Sequence, residues 1–94
     1  MTAGPPERYA RAAEATESAV GERVVLYHRR SRTALVLNPA ASWIWRQLAE
    51  PRTAPELAGH LRERFGHLGI EEAERDVATL LADLARHQMI AVTS

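Results

Sequence analysis

The segment Thr33–Leu48, TALVLNPAASWIWRQL, places a strand directly before a helix, and this junction constrains the fold more than any other feature. The run Ala34–Leu37 is short and apolar, as is typical of a strand. Asn38 is a preferred helix N-cap, and Pro39 suits the first helical position because the N–H that proline lacks has no intrahelical partner there. Upstream segments are therefore expected to pair with this strand, and downstream segments to pack on the helix.

The segment before the junction predicts a partner for this strand. Arg23–His28, RVVLYH, is rich in the β-branched and aromatic residues that favour strands, and the polar Arg29–Arg32 has the length of a hairpin turn. Strand alternation places Val24 and Leu26 on one face of the hairpin. A two-stranded hairpin alone is marginally stable, so a third strand or a helix must support it.

The N-terminal region is ambiguous. Residues 1–9 are expected to form a flexible tail, and residues 10–94 one folded domain. The alanines of Tyr9–Val20, YARAAEATESAV, favour a helix on local propensity, although clear strand sequence follows.

Three amphipathic helices are predicted after the junction, over residues 39–49, 54–64 and 71–88. Thr53 and Glu56 have the spacing of a capping box, which fixes the start of the second helix. Ile90–Val92 has the composition of a final short strand. This order of elements indicates an α+β domain whose helices resemble a winged helix-turn-helix.

Composition narrows the function. The chain has no cysteine, and its twelve basic residues balance twelve acidic ones. These features predict a cytoplasmic protein with no disulfide and no bulk attraction to nucleic acid or membrane. Neither a signal peptide nor an apolar run long enough to span a membrane is expected.

The residues that usually carry catalysis lack the required spacing. The four histidines, His28, His60, His67 and His87, do not have the spacing of metal ligands. No Gly-rich phosphate loop or nucleophile elbow is present. The carboxylates of the third helix are best interpreted as a solvated face. The sequence therefore predicts no enzyme, no cofactor and no metal site.

A DNA-binding regulator is the main alternative from another class. A recognition helix needs Lys, Arg, Asn or Gln to meet phosphates and base edges, but the predicted third helix carries five acidic residues and two arginines. The basic cluster lies instead in the turn His28–Arg32. This turn is expected to stay in water, with contact to an acidic peptide or a phosphate as the less favoured interpretation. A plain structural subunit is a further alternative.

Several short motifs, taken in order, resemble the PqqD family. They are LNPAA at 37–41, IWRQL at 44–48, PRT at 51–53, EL at 56–57, FG at 65–66, EEAERDV at 71–77, and leucines at 80, 81 and 84. The resemblance covers about Val20–Val92. The loop His67–Ile70 is about one residue longer than usual, and the Leu-Asn-Pro junction is more similar to the small standalone proteins of lasso-peptide and related clusters than to PqqD proteins of pyrroloquinoline quinone synthesis.

The resemblance implies a three-stranded antiparallel sheet packed on three helices, with Ala12–Ser18 as the first strand. It also implies a non-catalytic protein that captures the leader of a ribosomally synthesised precursor peptide. The leader would add as a strand to the open edge of Thr33–Leu37, in a groove walled by the third helix. The implied partners are a leader peptidase and a cyclase in a lasso-type cluster or, alternatively, a radical SAM enzyme in pyrroloquinoline quinone synthesis.

The expected peptide-binding residues are Thr33, Ala34, Leu35, Val36, Leu37, Asp76, Val77, Leu80, Leu81, Asp83 and Leu84. Leu81 and Val77 are expected to flank the groove, with burial in the core as the alternative. The two aspartates are expected to contact polar or basic leader residues, with solvation as the alternative. Trp43, on the outward side of the first helix, is expected either to dock the partner enzyme or to cover the tail or the sheet edge of its own chain. The open strand edge also makes an edge-paired or swapped homodimer conceivable.

Overall fold

A computed structural model describes residues 7–93. Its elements are β1 (Arg8–Arg11), β2 (Ala15–Val20), β3 (Arg23–His28), β4 (Thr33–Val36), α1 (Pro39–Gln47), β5 (Arg52–Thr53), α2 (Ala54–Arg64), α3 (Ile70–Arg86) and β6 (Ile90–Thr93). They form two antiparallel three-stranded sheets, ordered β2-β3-β4 and β5-β1-β6. The predicted α+β class is confirmed, and the second sheet is an addition to the predicted architecture.

The larger sheet packs one face on the helices. Val24 and Leu26 of β3 are 1 % and 0 % exposed, whereas Tyr27, on the outer face of the same strand, is 42 % exposed. This alternation is the one predicted from the sequence. The buried face of the sheet meets a core made by Trp45 of α1, Leu57 of α2 and the apolar stripe of α3.

The N-terminal region differs from the expectation. The helix favoured over Tyr9–Val20 is wrong, because this segment forms β1 and β2 with a turn between them. The first strand of the larger sheet lies at Ala15–Val20, somewhat later than the implied Ala12–Ser18. β1 pairs with β6 in a register from Arg8↔Thr93 to Arg11↔Ile90, and strand pairing over such a sequence separation overrides alanine's local preference. Residues 1–6 of the expected tail lie outside the described residues, and Arg8 and Tyr9 belong to β1.

Arg11 ties this N-terminal strand to the main sheet and to α1. Its guanidinium donates to the Trp45 carbonyl oxygen and to the Glu17 carboxylate, both at 2.7 Å, and lies 4.6 Å from the centre of the Trp45 ring. The indole N–H of Trp45 donates to the same carboxylate at 3.1 Å. One cationic side chain thus joins three elements, β1, β2 and α1.

The strand-to-helix junction has the predicted cap. The Asn38 side chain accepts from the Ala41 N–H at 2.8 Å, and Pro39 begins α1. The buried hydroxyl of Ser42 accepts from the Val24 N–H at 2.8 Å and donates to the Leu37 carbonyl at 3.3 Å. This hydroxyl therefore occupies the last rung of the β3–β4 ladder and fixes where α1 leaves the sheet.

The helices follow their predicted ranges closely. α2 has the predicted bounds, and both hydrogen bonds of its Thr53–Glu56 capping box are formed, at 2.8 and 3.2 Å. Accepting from the Thr53 N–H lowers the pKa of the Glu56 carboxyl. α1 ends earlier than predicted, at Gln47, and α3 runs from Ile70, after Gly69 as N-cap, to Arg86. No helix in residues 7–93 is long and apolar enough to cross a membrane.

Candidate functional site

β4 is an edge strand of the larger sheet in the part of the chain that the structure describes. Its register with β3 runs from Val25↔Val36 to His28↔Thr33, and the Leu37 N–H donates to the Val24 carbonyl at 2.9 Å. Hydrogen-bonded pairs alternate in an antiparallel ladder. The main-chain groups of Thr33, Leu35 and Leu37 therefore point to β3, and those of Ala34 and Val36 point to the open edge.

This alternation reduces the number of β4 residues whose backbone can pair with an added strand. Thr33, Leu35 and Leu37 were all expected to take part, but their ladder groups are directed at β3. Leu37 is also only 3 % exposed and belongs to the core. Ala34 and Val36 are the residues whose backbone donors and acceptors are free to pair with an added strand, and Val36 is 61 % exposed.

A groove of about 330 Å³ begins where this edge ends. α3 contributes Arg75, Asp76, Val77, Thr79, Leu80 and Asp83; the start of α1 contributes Asn38, Ala40, Ala41 and Ile44; α2 contributes Leu61. The α3 residues 76, 79, 80 and 83 follow the i, i+3, i+4, i+7 spacing of one helix face. The groove thus has an apolar floor and a rim that carries the carboxylates of Asp76 and Asp83 and the guanidinium of Arg75.

The structure separates the predicted α3 residues into two groups. Asp76, Val77, Leu80 and Asp83 line the groove, although Val77 is only 1 % exposed and forms part of its floor. Leu81 and Leu84, 5 % and 0 % exposed, do not line it. The interpretation that Leu81 flanks the groove is wrong, because residues 73, 77, 81 and 84 form the stripe that packs into the core.

The two aspartates of the groove differ in exposure and in ion pairing. Asp83 is half-buried and accepts from the Arg86 guanidinium at 2.6 Å. Asp76 is exposed, and no ion pair to it is present within residues 7–93. A cationic group entering the groove would therefore find one carboxylate free and one already paired.

Sequence reasoning missed the wall of the groove that α1 provides. Ala40 and Ala41 are half-buried, and their small side chains leave space between α1 and α3. The signal in the sequence was the pair of alanines directly after Asn38-Pro39, at positions where a larger residue would fill this space. Arg75 and Thr79 were also missed, because their place on the rim depends on how α3 is rotated against α2.

Trp43 lies on a different side of α1 from the groove. Its indole N–H donates to the His60 carbonyl at 3.2 Å, and the Arg64 guanidinium lies 5.7 Å from the ring centre. The ring is half-buried and, with Arg46 and Phe65, borders a small surface cavity of about 60 Å³. These contacts place the ring against α2, whereas the expected cover was for the tail or the sheet edge.

No group of three or more metal-ligating side chains is clustered within residues 7–93. His28 illustrates the alternative use of an imidazole. It is 5 % exposed, and its Nδ1 accepts from the Ser31 N–H at 3.1 Å, which orders the turn before β4. The site so described offers main-chain pairing, an apolar floor and charged rim groups.

Two solved structures share this fold. TbiB1 in complex with the TbiA(beta) leader peptide has a TM-score of 0.80 and 22 % identity, over 86 % of this chain and 93 % of that chain. A lasso peptide synthetase B1 complexed with the leader peptide has a TM-score of 0.77 and 24 % identity, over 88 % of this chain and 96 % of that chain. No curated protein sequence matches.

The sequence itself matches a family model. The model described as coenzyme PQQ synthesis protein D (PqqD) covers residues 23–90, which include the β3–β4 hairpin and all three helices. The matched segment is most of the chain, and it contains the strand edge and the groove described above. The resemblance found in the sequence is confirmed, and the chain belongs to the PqqD family.

Proposed function

We propose that this protein is a non-catalytic binding protein that captures the leader of a ribosomally synthesised precursor peptide by strand addition to β4. The observation that carries the proposal is the open edge of β4, where the main-chain groups of Ala34 and Val36 point outward and lead into the groove. An unpaired edge is a template for an added strand, and a pocket beside it supplies selectivity for side chains. Two proteins of the same fold have been solved with leader peptides bound.

The short length of β4 determines how affinity must arise. Because only Ala34 and Val36 face outward, the ladder to an added strand has few rungs. Each net hydrogen bond contributes about 0.5–1.5 kcal/mol, which alone gives weak binding. The apolar floor formed by Ile44, Leu61 and Leu80 must then add affinity by burying an apolar side chain of the peptide.

The proposal extends to the setting in which the protein works. We infer a cytoplasmic role in a lasso-type cluster, in which the captured leader is presented to a leader peptidase and a cyclase. The alternative setting is pyrroloquinoline quinone synthesis with a radical SAM enzyme, and the fold serves both equally. A DNA-binding role is less favoured because Glu71, Glu72 and Glu74 are exposed at the start of α3, where they would repel phosphates.

The decisive experiment changes one backbone donor. Val36→Pro removes an N–H that faces the open edge, and proline is tolerated at such a position. The variant should fold but bind the synthetic leader of the nearest precursor gene about tenfold or more weakly, because a peptide carbonyl is left unpaired. Val36→Ala keeps the N–H and is the matched control.

Two-dimensional NMR of the amides reads the result directly. On titration of the leader, the wild-type protein should show saturable shifts at Ala34–Val36 and along Val77–Leu84, with new protection of the β4 amides from hydrogen exchange. Equal Kd values for Val36→Pro and Val36→Ala would contradict strand addition. Shifts confined to Arg29–Arg32 on addition of duplex DNA would revive the regulator.

Docking of the maturation enzyme at Trp43 is a separate part of the proposal. The ring, Arg46 and Phe65 form a half-buried apolar and cationic surface on the side of α1 away from the groove. Trp43→Ala should weaken binding of the enzyme and leave the Kd of the leader unchanged. Loss of thermal stability without loss of enzyme binding would restrict Trp43 to its contact with α2.

A further inference from the structure

The turn before β4 carries a concentration of positive charge that the proposed strand addition does not use. Arg29, Arg30 and Arg32 are exposed, and no ion pair or side-chain hydrogen bond to them is present in the described part of the chain. The whole chain has a formal net charge of zero. The positive charge at this turn is therefore a local concentration and does not reflect a basic chain.

This turn is held in a fixed conformation. The Ser31 N–H donates to the buried His28, the Ser31 hydroxyl donates to Thr33 Oγ1 at 3.0 Å, and the Arg32 N–H donates to the His28 carbonyl at 2.8 Å. Arg32 has a left-handed backbone with φ of 58°. Because the backbone is already ordered, a ligand that meets these arginines pays little additional backbone entropy.

The turn and the groove lie at opposite ends of the open edge. β4 starts directly after Arg32, and the groove includes Asn38, so about 17 Å of extended chain separates them at about 3.3 Å per residue. At physiological salt, charges farther apart than about 8 Å are largely screened from each other. The two ends therefore act as separate electrostatic environments. The turn is positive, whereas the groove rim carries both signs: Asp76 has no ion pair within residues 7–93, Asp83 is paired with Arg86, and Arg75 lies on the same rim.

Direction follows from the pairing of the existing sheet. Both strand pairs of the larger sheet are antiparallel, and antiparallel pairing is slightly more stable per residue than parallel pairing. A peptide strand that continues this pattern runs opposite to β4. Its C-terminal side then lies at the arginine turn, and its N-terminal side lies at the groove.

We propose that the turn Arg29–Arg32 recognises acidic side chains on the C-terminal side of the peptide strand that pairs with β4. Together with Asp76, the groove carboxylate that has no ion pair within residues 7–93, it selects a peptide with acidic residues on the C-terminal side of the strand and a basic residue on the N-terminal side. This proposal rests on the proposed capture of a peptide at β4, and it adds the charge pattern that the captured peptide must have. Charge complementarity of this kind contributes to specificity and register more than to total affinity.

The test is a display selection of short random peptides on the full-length protein. Three proteins are compared: the wild type, the variant R29Q/R30Q, and the control R8Q/R23Q, which removes two other exposed arginines whose side chains form no ion pair or hydrogen bond within residues 7–93. Wild type and control should enrich Asp and Glu on the C-terminal side of the selected motif, and R29Q/R30Q should not. A selected peptide should bind R29Q/R30Q about two- to tenfold more weakly than wild type, with a smaller difference at high salt.

Three other results of the selection would contradict the inference. Peptides that protect the β4 amides but show no acidic enrichment, or keep it on R29Q/R30Q, would overturn this inference and leave capture at β4 intact. A selection that yields no peptide protecting those amides would overturn the proposed function and this inference with it. If R29Q/R30Q changes only the affinity for a DNA duplex of random sequence, the turn serves nucleic acid and the inference is wrong.

Discussion

The two faces of α3 lie on one helix but are covered differently. Ala73, Val77, Leu81 and Leu84 are each at most 5 % exposed and belong to the core, and Val77 also forms part of the groove floor. Asp76, Thr79, Leu80 and Asp83 line the groove from the neighbouring stripe. The two stripes are displaced by about one residue around the helix and are therefore neighbours. They differ in burial because α1 and α2 place different side chains opposite each stripe. Large side chains opposite the first set close the core, and the alanines of α1 opposite the second leave it open. A helix can therefore stabilise the fold with one stripe and line an open groove with the next.

The largest effect is expected on the buried face. Leu84→Ala removes a fully buried side chain and should lower the free energy of unfolding by about 2–5 kcal/mol. Urea denaturation followed by circular dichroism measures this loss, with the exposed Thr79→Ala as the control expected within about 0.5 kcal/mol. The leader Kd of the folded fraction should not change. A Leu84→Ala protein as stable as wild type would show that the two faces are not distinct.

The reverse result is expected at the groove. Leu80 is half-buried and forms part of the groove, so Leu80→Ala should weaken binding of an apolar peptide side chain by about 1–2 kcal/mol, or five- to thirtyfold in Kd. Its loss of stability should be smaller than that of Leu84→Ala. Isothermal titration calorimetry with the leader measures the affinity. Unchanged affinity would place the peptide outside the groove.

A smaller effect is expected at the rim. Asp76 is exposed and unpaired within residues 7–93, so Asp76→Asn should weaken binding of a peptide with basic residues by at most about fivefold, the range of an exposed ion pair. The difference should shrink at high salt. Glu72→Gln, which is exposed on α3 outside the groove lining, is the control and should have less effect. Equal losses would indicate a general attraction to the acidic helix.

The parts of the fold that local signals specify were predictable from the sequence. The hairpin of β3 and β4 follows from strand alternation, and the start of α2 follows from the Thr53–Glu56 capping box. The pairing of β1 with β6 was not predictable in this way. Its partners lie at opposite ends of the chain, and nothing local to Arg8–Arg11 indicates a strand.

The candidate site was predictable only in part for the same reason. The edge strand and the α3 side of the groove carry their own sequence patterns, and the family resemblance pointed to both. Which α3 leucine faces the groove depends on the rotation of α3 against α1 and α2, so Leu81 was assigned to the wrong face. The outward direction of Ala34 and Val36 depends on the register with β3, which the Leu37–Val24 hydrogen bond fixes.

The smallest effect is expected from the capping box of α2, the helix that packs against α3. It concerns how the free energy of unfolding changes with pH. Accepting from the Thr53 N–H lowers the pKa of Glu56, so the folded state favours the ionised carboxylate. The resulting stabilisation is present above the pKa of Glu56 in the unfolded chain and is lost as pH falls through the lower folded value. Glu56→Gln has no carboxyl to titrate, so the stability advantage of wild type over this variant should be larger near neutral pH than in acid.

Denaturant unfolding of both proteins at a series of pH values measures this difference. Because the capping box lies at the start of α2, the leader Kd of the folded protein should be the same for wild type and Glu56→Gln. A constant stability difference across the acid range would show that the carboxylate charge does not contribute to the cap. A change in leader affinity with Glu56→Gln would mean that the groove depends on the start of α2, and that the buried and open faces of α3 are coupled through that helix.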